Sequence, residues 1–518
     1  MTDPEHNASS PRATAGAPSP PAVVADEPYS IFDHRQRALI VFTASVAATF
    51  SGFASNIYFP ALPTIATDFN VSSELINLTV TAYLVLQGLA PSLWGPISDA
   101  RGRRVAYIGT FCVFLGACVG LALCQNYASL VVLRALQSAG SASTIAIGSG
   151  VIGDVTTREN RGGFMGIFQA GLLVPVAIGP VIGGALAGSP SLGGWRSVFW
   201  FLTIYSGVFL VFLILVLPET LRAMVGNGGC AMQELNVFSR FPLRVYQKRT
   251  TALWTRPTPS LSSSAQQKAR PALSIDVFGP LRILVSKQAG PVIFFVAIYY
   301  AVWQMCITAM STLFQSQYGL SETHTGLTYI ANGVGSVVGT LVTGKLLDRD
   351  YKRAAAAAGT GPFPLEKARM RLLPLFAVLQ SASILMFGWT IDRNVAIAAP
   401  IVSTFITGWC VVSMAGIVST YLVDVHGGGG AATASLNLAR CLLAAGGTSF
   451  VMPLIGRIGT GPAFSLCAGV QLLSSVGLVV QWRYGPRWRQ EAEAKAKAKQ
   501  QQDTETENEE PLQAGQEK

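Results

Sequence analysis

Long apolar runs alternate with short polar segments along the chain of 518 residues. Each run is long enough to cross a bilayer as a helix, which takes about 20 mostly apolar residues. In lipid, backbone amides must find their partners within their own segment, so such runs form helices. The pattern predicts an all-α membrane protein with twelve transmembrane helices, at approximately 38–60, 75–98, 105–125, 128–153, 162–187, 196–217, 290–314, 325–347, 371–391, 395–423, 431–455 and 462–483.

Composition supports a membrane protein. Half of the residues are hydrophobic, only 12% are charged, and the mean hydropathy is +0.42. A soluble domain is about one quarter charged. The eight cysteines form no CxxC pair and the four histidines form no cluster. We therefore expect no metal site and no cofactor, and the absence of a Walker motif and of a nucleophile elbow argues against an enzyme.

The basic residues predict the orientation. Lys and Arg cluster in alternate loops, and the intervening loops 61–74 and 315–324 contain none. Cytoplasmic loops carry the excess of Lys and Arg. Both termini and the central loop are therefore predicted to be cytoplasmic. Three arginines do not fit this pattern, namely Arg196, Arg393 and Arg457.

The same pattern divides the chain into five parts. The first 30 residues lack the apolar core of a cleavable signal peptide, so we expect the first span to act as the insertion signal. The predicted parts are a disordered cytoplasmic N-tail 1–36, a six-helix half 37–217, a cytoplasmic central loop 218–288, a second six-helix half 289–483 and a cytoplasmic C-tail 484–518.

A charged hairpin recurs in both halves. WGPISDARGRR (94–104) and GKLLDRDYKR (344–353) each place an aspartate four positions, and an arginine nine positions, after a glycine. Glycine permits two helices to approach closely. An aspartate in the hairpin can pair with basic residues or accept hydrogen bonds from a helix N-terminus. A positive-inside anchor is the alternative interpretation. We expect a conformational latch formed by Gly95, Asp99, Arg101, Arg103, Arg104 and Asp348.

Twelve spans split six and six, with this hairpin after spans two and eight, resemble the major facilitator superfamily. The resemblance covers roughly residues 38–488 and omits both tails. It implies a transporter in which two six-helix halves rock around a midplane site, giving alternating access.

Two further motifs carry the resemblance. VLRALQSAGSAST (132–144) is similar to the RxxQGxG motif of the fourth helix, with Ser138 in place of a glycine. GLLVPVAIGPVIGG (171–184) resembles the fifth-helix motif of drug:proton antiporters, with Pro175 in place of a frequent glycine. The fifth-helix motif implies export, although a generic glycine-rich helix contact is the alternative. Its packing residues are Gly171, Gly179, Pro180, Gly183 and Gly184.

Smaller matches resemble fungal members of the drug:proton antiporter-1 branch. They include SNIYFPALP (55–63), LPETLR (217–222) and NLARCLLAAGG (437–447). That branch contains exporters of citrate and itaconate as well as quinidine-resistance-type multidrug exporters. The resemblance therefore implies a small-molecule substrate without choosing between an acid and a drug.

The charges within the apolar runs favour an anionic substrate. Arg134 and Arg440 lie inside spans, whereas every Asp and Glu near a span lies at its end. A charge inside a membrane marks a functional site by default, and arginine binds carboxylates bidentately. Arg134 also fits a structural pairing role. The candidate substrate or coupling residues are Arg134, Gln137, Arg440, Asn437, Gln304 and Tyr58, and the other candidates for lining the cavity are Asn56, Gln87, Gln169, Tyr299, Trp303 and Asn332.

The sequence thus predicts an efflux transporter for a small organic acid, a di- or tricarboxylate such as itaconate or citrate, in the plasma membrane. Proton coupling and downhill export both remain open. A multidrug or secondary-metabolite:proton antiporter is the main alternative, and a non-transporting nutrient sensor is a further one. The expected partners are the anionic substrate, protons and the lipid bilayer. We expect no nucleic-acid partner and a monomer.

Overall fold

The computed structural model describes residues 30, 32–157, 161–225, 279–358, 365–426 and 429–516. The regular structure of these residues is entirely helical. Within these residues, twelve segments are long and apolar enough to cross a membrane, which confirms the predicted number of spans and the all-α class. The predicted N-tail up to residue 29 and residues 226–278 of the central loop lie outside the described residues.

The first six spans precede the central loop. Span 1 is composite, because the helix His34–Asn56 is followed by a 3-10 turn, Phe59–Ala61, and a short helix, Leu62–Asp68. Span 4 consists of two helices, Tyr127–Ser141 and Ser143–Val155. The six spans are His34–Asp68, Ser73–Arg101, Arg103–Leu123, Tyr127–Val155, Ile167–Ala187 (in the helix Arg161–Ala187) and Arg196–Val216, and a short helix, Arg222–Val225, follows them.

The second six spans begin after a short helix, Gly279–Val285. The helix of span 12 does not end at 483 but continues to Gln516, across the predicted start of the C-tail. Another short helix, Leu365–Met370, precedes span 9. Spans 7 to 12 are Gly290–Tyr318, Glu322–Leu347 (in the helix Glu322–Ala358), Leu373–Asp392, Ala398–Val425 (in Ala398–His426), Thr433–Ile458 (in Gly429–Ile458) and Thr460–Glu491.

Local sequence sets several span ends. The Ser72 side chain accepts a hydrogen bond from the Leu75 amide at the start of span 2. Asn126 does the same for the Ser129 amide at the start of span 4, at 2.8 Å. Such caps satisfy amides that the first helical turn leaves unpaired. Span 7 ends at Tyr318 and is followed by Gly319, whose φ of 64° is a left-handed conformation that glycine adopts freely.

The outer faces of the spans are apolar. On span 6, Ile204, Val208 and Val211 recur at helical spacing and are 66%, 68% and 59% exposed. In water, such a large exposed apolar stripe would favour association with another apolar surface. In a bilayer it is the ordinary lipid-facing surface, because the backbone polar groups are already paired within the helix.

The spans pack with a twofold pattern. Span 1 packs on span 5 as span 7 packs on span 11, and span 3 packs on span 6 as span 9 packs on span 12. Span 2 packs on span 4 as span 8 packs on span 10. The two halves meet where span 2 packs on span 11 and where span 5 packs on span 8. These two contacts are equivalent, because spans 2 and 5 of the first half correspond to spans 8 and 11 of the second. The two halves are therefore structural repeats.

The halves are joined at one side of the molecule. We call the side at which span 1 begins and span 12 ends the terminal side, and the other the distal side. At the distal side, Thr64 Oγ1 donates to Glu322 Oε1 at 2.7 Å, and the Phe59 ring stacks on Tyr329 at 6.1 Å between centroids. Gln315 Nε2 donates to the Pro60 carbonyl at 3.4 Å. The conformation is thus closed at the distal side.

Gly333 makes a close contact between the halves. A Cβ atom added there would overlap the backbone of Ala177 in span 5, whereas one added at Gly344 in the same span meets nothing within 4 Å. We expect Gly333→Ala to weaken the contact between spans 5 and 8 by about 1–3 kcal/mol, the usual effect of overpacking. Transport assays should show a clear loss for Gly333→Ala and none for Gly344→Ala. Equal activities would mean that this contact does not limit transport.

Candidate functional site

Arg103 organises the charged hairpin after span 2. Its Nη1 lies 2.5 Å from Asp99 Oδ1, and its Nε lies 3.0 Å from Asp154 Oδ2 at the end of span 4. Nη1 also donates to Ser98 Oγ at 3.0 Å. One guanidinium therefore ties span 2 and span 4 to the start of span 3.

Sequence reasoning missed the role of Glu219. This buried carboxylate accepts bonds from the backbone amides of Arg103 (2.9 Å), Arg104 (3.2 Å), Thr220 (3.0 Å) and Leu221 (2.9 Å). It thereby caps the N-terminus of span 3, where a negative charge is stabilised by the helix dipole. Its only signal in the sequence is an acid in LPETLR at the end of an apolar run.

Other predicted latch residues contribute less. A Cβ added at Gly95 meets nothing within 4 Å, so no close helix contact requires glycine there in this conformation. Arg101 is exposed. Arg104 Nη2 donates to the Ile214 carbonyl of span 6 at 2.8 Å. The side chain of Asp348 lies outside the described residues, so the second copy of the latch stays a prediction.

Gly102 is required by the geometry of this hairpin. Its φ is 108°, and an added Cβ would overlap the Glu219 carboxylate. We expect Gly102→Ala to lower the free energy of unfolding by about 1–3 kcal/mol through backbone strain. Gly116→Ala, also in span 3 and with open space around its Cβ, should instead stabilise by about 0.5–1 kcal/mol. Thermal unfolding in detergent measures both, and shifts of the same sign would refute the assignment.

Arg134 lies in a sealed cluster in the first half. Its side chain is 1% exposed, and its guanidinium carbon lies 4.1 Å from the centre of the Tyr58 ring and 4.5 Å from that of Tyr83. Nη1 donates to Gln137 Oε1 at 2.5 Å and to the Ala54 carbonyl at 3.1 Å. Aromatic faces attract cations, most strongly when desolvated. Arg134 thus joins spans 1, 2 and 4.

The rest of this cluster is neutral. Tyr58 shares a hydrogen bond with Thr79 at 2.9 Å, and Gln137 Nε2 donates to Cys118 Sγ at 3.2 Å. The Arg134 Nε has no partner in the described part of the chain. The structure thus brings together three predicted site residues, Arg134, Gln137 and Tyr58, and none of the described side chains that contact Arg134 is an acid.

Arg440 lies in a different setting on span 11. It is only partly buried. Its Nε and Nη2 donate to Asn437 Oδ1 at 3.1 and 2.8 Å, and its guanidinium carbon lies 5.0 Å from the centre of the Tyr300 ring. Gln304 follows Tyr300 by four positions, on the same face of span 7. The Arg440 guanidinium thus contacts a neutral amide and an aromatic ring, and neither carries a negative charge.

The Arg440 group touches the other half of the molecule. Asn437 Nδ2 donates to the Gln87 carbonyl of span 2 at 3.1 Å. Nearby, the Thr81 hydroxyl of span 2 lies 2.7 Å from Ser449 Oγ of span 11. Arg440 is therefore placed where the two halves meet.

Several other candidates are engaged in packing. Trp303 Nε1 donates to Asn332 Oδ1 at 2.9 Å, which joins spans 7 and 8. The Tyr299 hydroxyl lies near Ser475 of span 12, and Asn56 Nδ2 bonds to the Gly52 carbonyl of its own helix. These contacts favour structural roles.

The glycine-rich motif packs span 5 on two different helices. A Cβ at Gly171 would lie 3.6 Å from Ser45, and one at Gly183 would overlap the Ile57 carbonyl, both in span 1. Gly184 and Pro180 instead meet span 8, against Glu322 and Gly326. Gly179 also faces span 1, against Asn56. The motif therefore forms part of the contact between the halves.

Comparison with known proteins identifies the family. The sequence profile of the Major Facilitator Superfamily matches residues 44–448. The chain belongs to this superfamily. It is 38% identical to Citrate exporter 1 of Aspergillus niger over 478 residues, covering 89% of this chain and 88% of that protein. It is 35% identical to the MFS antiporter QDR2 of Candida albicans over 468 residues, covering 88% and 90%.

Solved structures share the fold of this transporter. The xylose transporter XylE from E. coli superposes with a TM-score of 0.61 at 16% identity, over 87% of this chain and 98% of XylE. The human organic anion transporter MFSD10 superposes with a TM-score of 0.55 at 14% identity, over 85% and 99%. Together, the superfamily profile and the sequence relatives make the protein a multi-pass membrane transporter rather than an enzyme, and the predicted resemblance is confirmed.

Proposed function

We propose that this transporter exports a small organic acid, a di- or tricarboxylate such as citrate or itaconate, by alternating access. The observation that carries the proposal is the state of Arg440. This partly buried arginine lies at the junction of the halves, and its guanidinium is held by a neutral amide rather than by an acid. A carboxylate is the group that best matches its planar fork of donors.

The distribution of acids supports an anionic substrate. In the described part of the chain, neither Arg134 nor Arg440 pairs with a carboxylate. The ion-paired acids lie at or beyond span ends and already have basic partners: Asp99 and Asp154 with Arg103, Asp68 with Arg196, Asp350 with Arg371, Asp424 with Arg369, and Glu366 with Arg489. An uncompensated cation within a membrane is costly. An anionic substrate supplies the missing charge during transport.

The two arginines take different roles in this proposal. Arg440 receives the substrate, since it is only partly buried and a neutral amide holds its guanidinium. Arg134 holds spans 1, 2 and 4 together, because it is almost fully buried and the Tyr58 and Tyr83 rings lie within 4.5 Å of its guanidinium carbon. Export then requires the distal contacts, including the bond between Thr64 and Glu322, to open.

Relatives support both an acid and a drug as substrate. Citrate exporter 1 is named for an organic acid, and QDR2 of Candida glabrata is named a multidrug transporter at 33% identity. The charge of the site favours the acid. The alternative is a multidrug or secondary-metabolite:proton antiporter, favoured by the glycine-rich motif of span 5 and by the aromatic Tyr300 beside Arg440.

We further propose a plasma-membrane location with both termini in the cytoplasm, and a monomer as the working unit. The terminal side then faces the cytoplasm, and the described conformation is the one that loads substrate. Export is either coupled to protons, through antiport or on the substrate carboxyl groups, or runs downhill as facilitated export of the anion.

Metabolite profiling of the medium tests the proposal. Cells that carry the transporter are compared with cells that lack it and with cells that carry Arg440→Ala. We expect one small di- or tricarboxylate in the medium to fall severalfold in the latter two. Unchanged acids together with a new sensitivity to cationic drugs would favour the multidrug alternative. No change in either would favour a sensor.

A further inference from the structure

We propose that Asn437 is a positioning residue that links the occupation of Arg440 to the contact between the two halves. The proposal rests on the proposed function, because it assumes that a carboxylate binds Arg440. It goes beyond that function by assigning a means through which binding reaches the interface.

The two ends of one amide face opposite partners. Asn437 Oδ1 accepts from Nε and Nη2 of Arg440, three positions later on span 11. Its Nδ2 donates to the Gln87 carbonyl of span 2, in the other half, at 3.1 Å. Both contacts require the same orientation of the amide, since an amide oxygen cannot donate and an amide nitrogen cannot accept.

The contact between spans 2 and 11 is tight around this amide. A Cβ added at Gly88 would lie 3.2 Å from Cys441 Cβ and 3.6 Å from the side chain of Leu438. Cys441 Sγ is itself 3.7 Å from Asn437 Oδ1. A change in the amide is therefore transmitted to a closely packed junction of the halves rather than to open space.

Asn437 occupies the edge of Arg440 that a carboxylate prefers. A bidentate carboxylate takes two neighbouring guanidinium nitrogens, and Asn437 holds Nε and Nη2. A charged acceptor forms bonds about twice as strong as a neutral one, so an arriving carboxylate displaces the amide oxygen. The displaced amide turns, and its bond to the Gln87 carbonyl is lost. Substrate binding thus loosens one bond between spans 2 and 11.

The empty transporter keeps that bond. With no anion present, Asn437 satisfies two donors of Arg440 and one acceptor of span 2. The halves are then held in the conformation closed at the distal side. This arrangement favours movement of the loaded transporter over that of the empty one.

Asn437→Ala tests the link by separating binding from turnover. Purified transporter is titrated with citrate, and the rate of citrate efflux is measured with reconstituted protein. We expect Asn437→Ala to bind citrate roughly twofold to tenfold more tightly, because a neutral hydrogen-bonding competitor is gone. Its turnover at saturating citrate should fall about tenfold, because binding no longer changes the interface.

Asn437→Asp gives the opposite result for binding. Its carboxylate would pair with Arg440 and compete with the substrate, so we expect citrate binding at least about tenfold weaker. A purely structural role would move binding in the same direction in both variants. Equal loss of binding and turnover in Asn437→Ala, or no change in either, would overturn the proposal.

Arg440→Ala distinguishes a failure of the proposed function from a failure of the proposed role of Asn437. If this variant binds citrate normally, the proposed function fails. If it loses binding while Asn437→Ala shows unchanged turnover, only the link through Asn437 fails. Monodispersity in detergent and thermal unfolding establish that each variant is folded.

Discussion

Arg440→Ala should abolish organic-acid efflux while the protein still reaches the membrane. Removing one partner of a desolvated, hydrogen-bonded charge pair weakens binding by about 2–5 kcal/mol, or roughly 30-fold to 5,000-fold. The guanidinium also contacts the Tyr300 ring and Asn437, but neither is charged. We therefore expect the loss to come mainly from the substrate carboxylate. Efflux of labelled citrate from loaded cells measures it.

Two matched variants control this result. Arg440→Lys keeps the charge but not the planar fork, so we expect efflux between those of the wild type and Arg440→Ala. Arg457→Ala removes an exposed arginine from the same span and should leave efflux unchanged. Efflux that survived in Arg440→Ala would contradict the assignment of Arg440 as the anion receptor.

Arg134→Lys should lower transport at least about tenfold without weakening citrate binding, because a lysine ammonium does not stack on tyrosine rings as a planar guanidinium does. Arg134 joins spans 1, 2 and 4 through Tyr58, Tyr83, Gln137 and the Ala54 carbonyl. Losing this junction hinders movement of the first half as a rigid unit. Parallel measurements of citrate affinity and efflux rate separate the two effects.

Citrate affinity and efflux rate are compared between Arg134→Lys and Arg440→Ala. The two arginine variants should have opposite profiles, with binding lost in one and turnover lost in the other. Arg134→Ala removes more contacts and tests folding as well, so Arg134→Lys is the variant that decides. If Arg134→Lys bound citrate as weakly as Arg440→Ala, the substrate site would lie in the first half.

The span architecture was predictable because it follows from local chemistry. In lipid, each apolar run must pair its backbone amides and carbonyls within itself and therefore forms a helix. The number of spans follows from the number of runs that are long enough to cross the bilayer. The repeated hairpin correctly indicated two related halves. The break of span 4 at Ala142 and the continuation of the last helix to Gln516 were not predicted. They depend on tertiary packing and on helix propensity beyond the membrane rather than on hydropathy.

The site was predictable only in part. The pairs Arg134 with Gln137 and Arg440 with Asn437 are three positions apart, so helix geometry places each pair on one face. Their partners in other spans, such as Gln87, could not be predicted, because the sequence does not show which residues of two different spans lie side by side. The contact between Gly52 of span 1 and Pro175 of span 5 was equally unpredictable. An added Cβ at Gly52 would lie 2.8 Å from Pro175 Cβ, so the small glycine makes room for the proline. The two arginines differ in burial, since Arg134 is fully buried and Arg440 only partly. The periodicity of the sequence did not predict this difference.

Counterflow with purified protein tests the central claim most directly. Proteoliposomes are loaded with unlabelled citrate, and labelled citrate is added outside. We expect saturable accumulation of label by the wild type, none by Arg440→Ala, and none when citrate is replaced on both sides by a lipophilic organic cation. Accumulation of the cation without accumulation of citrate or another organic acid would contradict the account.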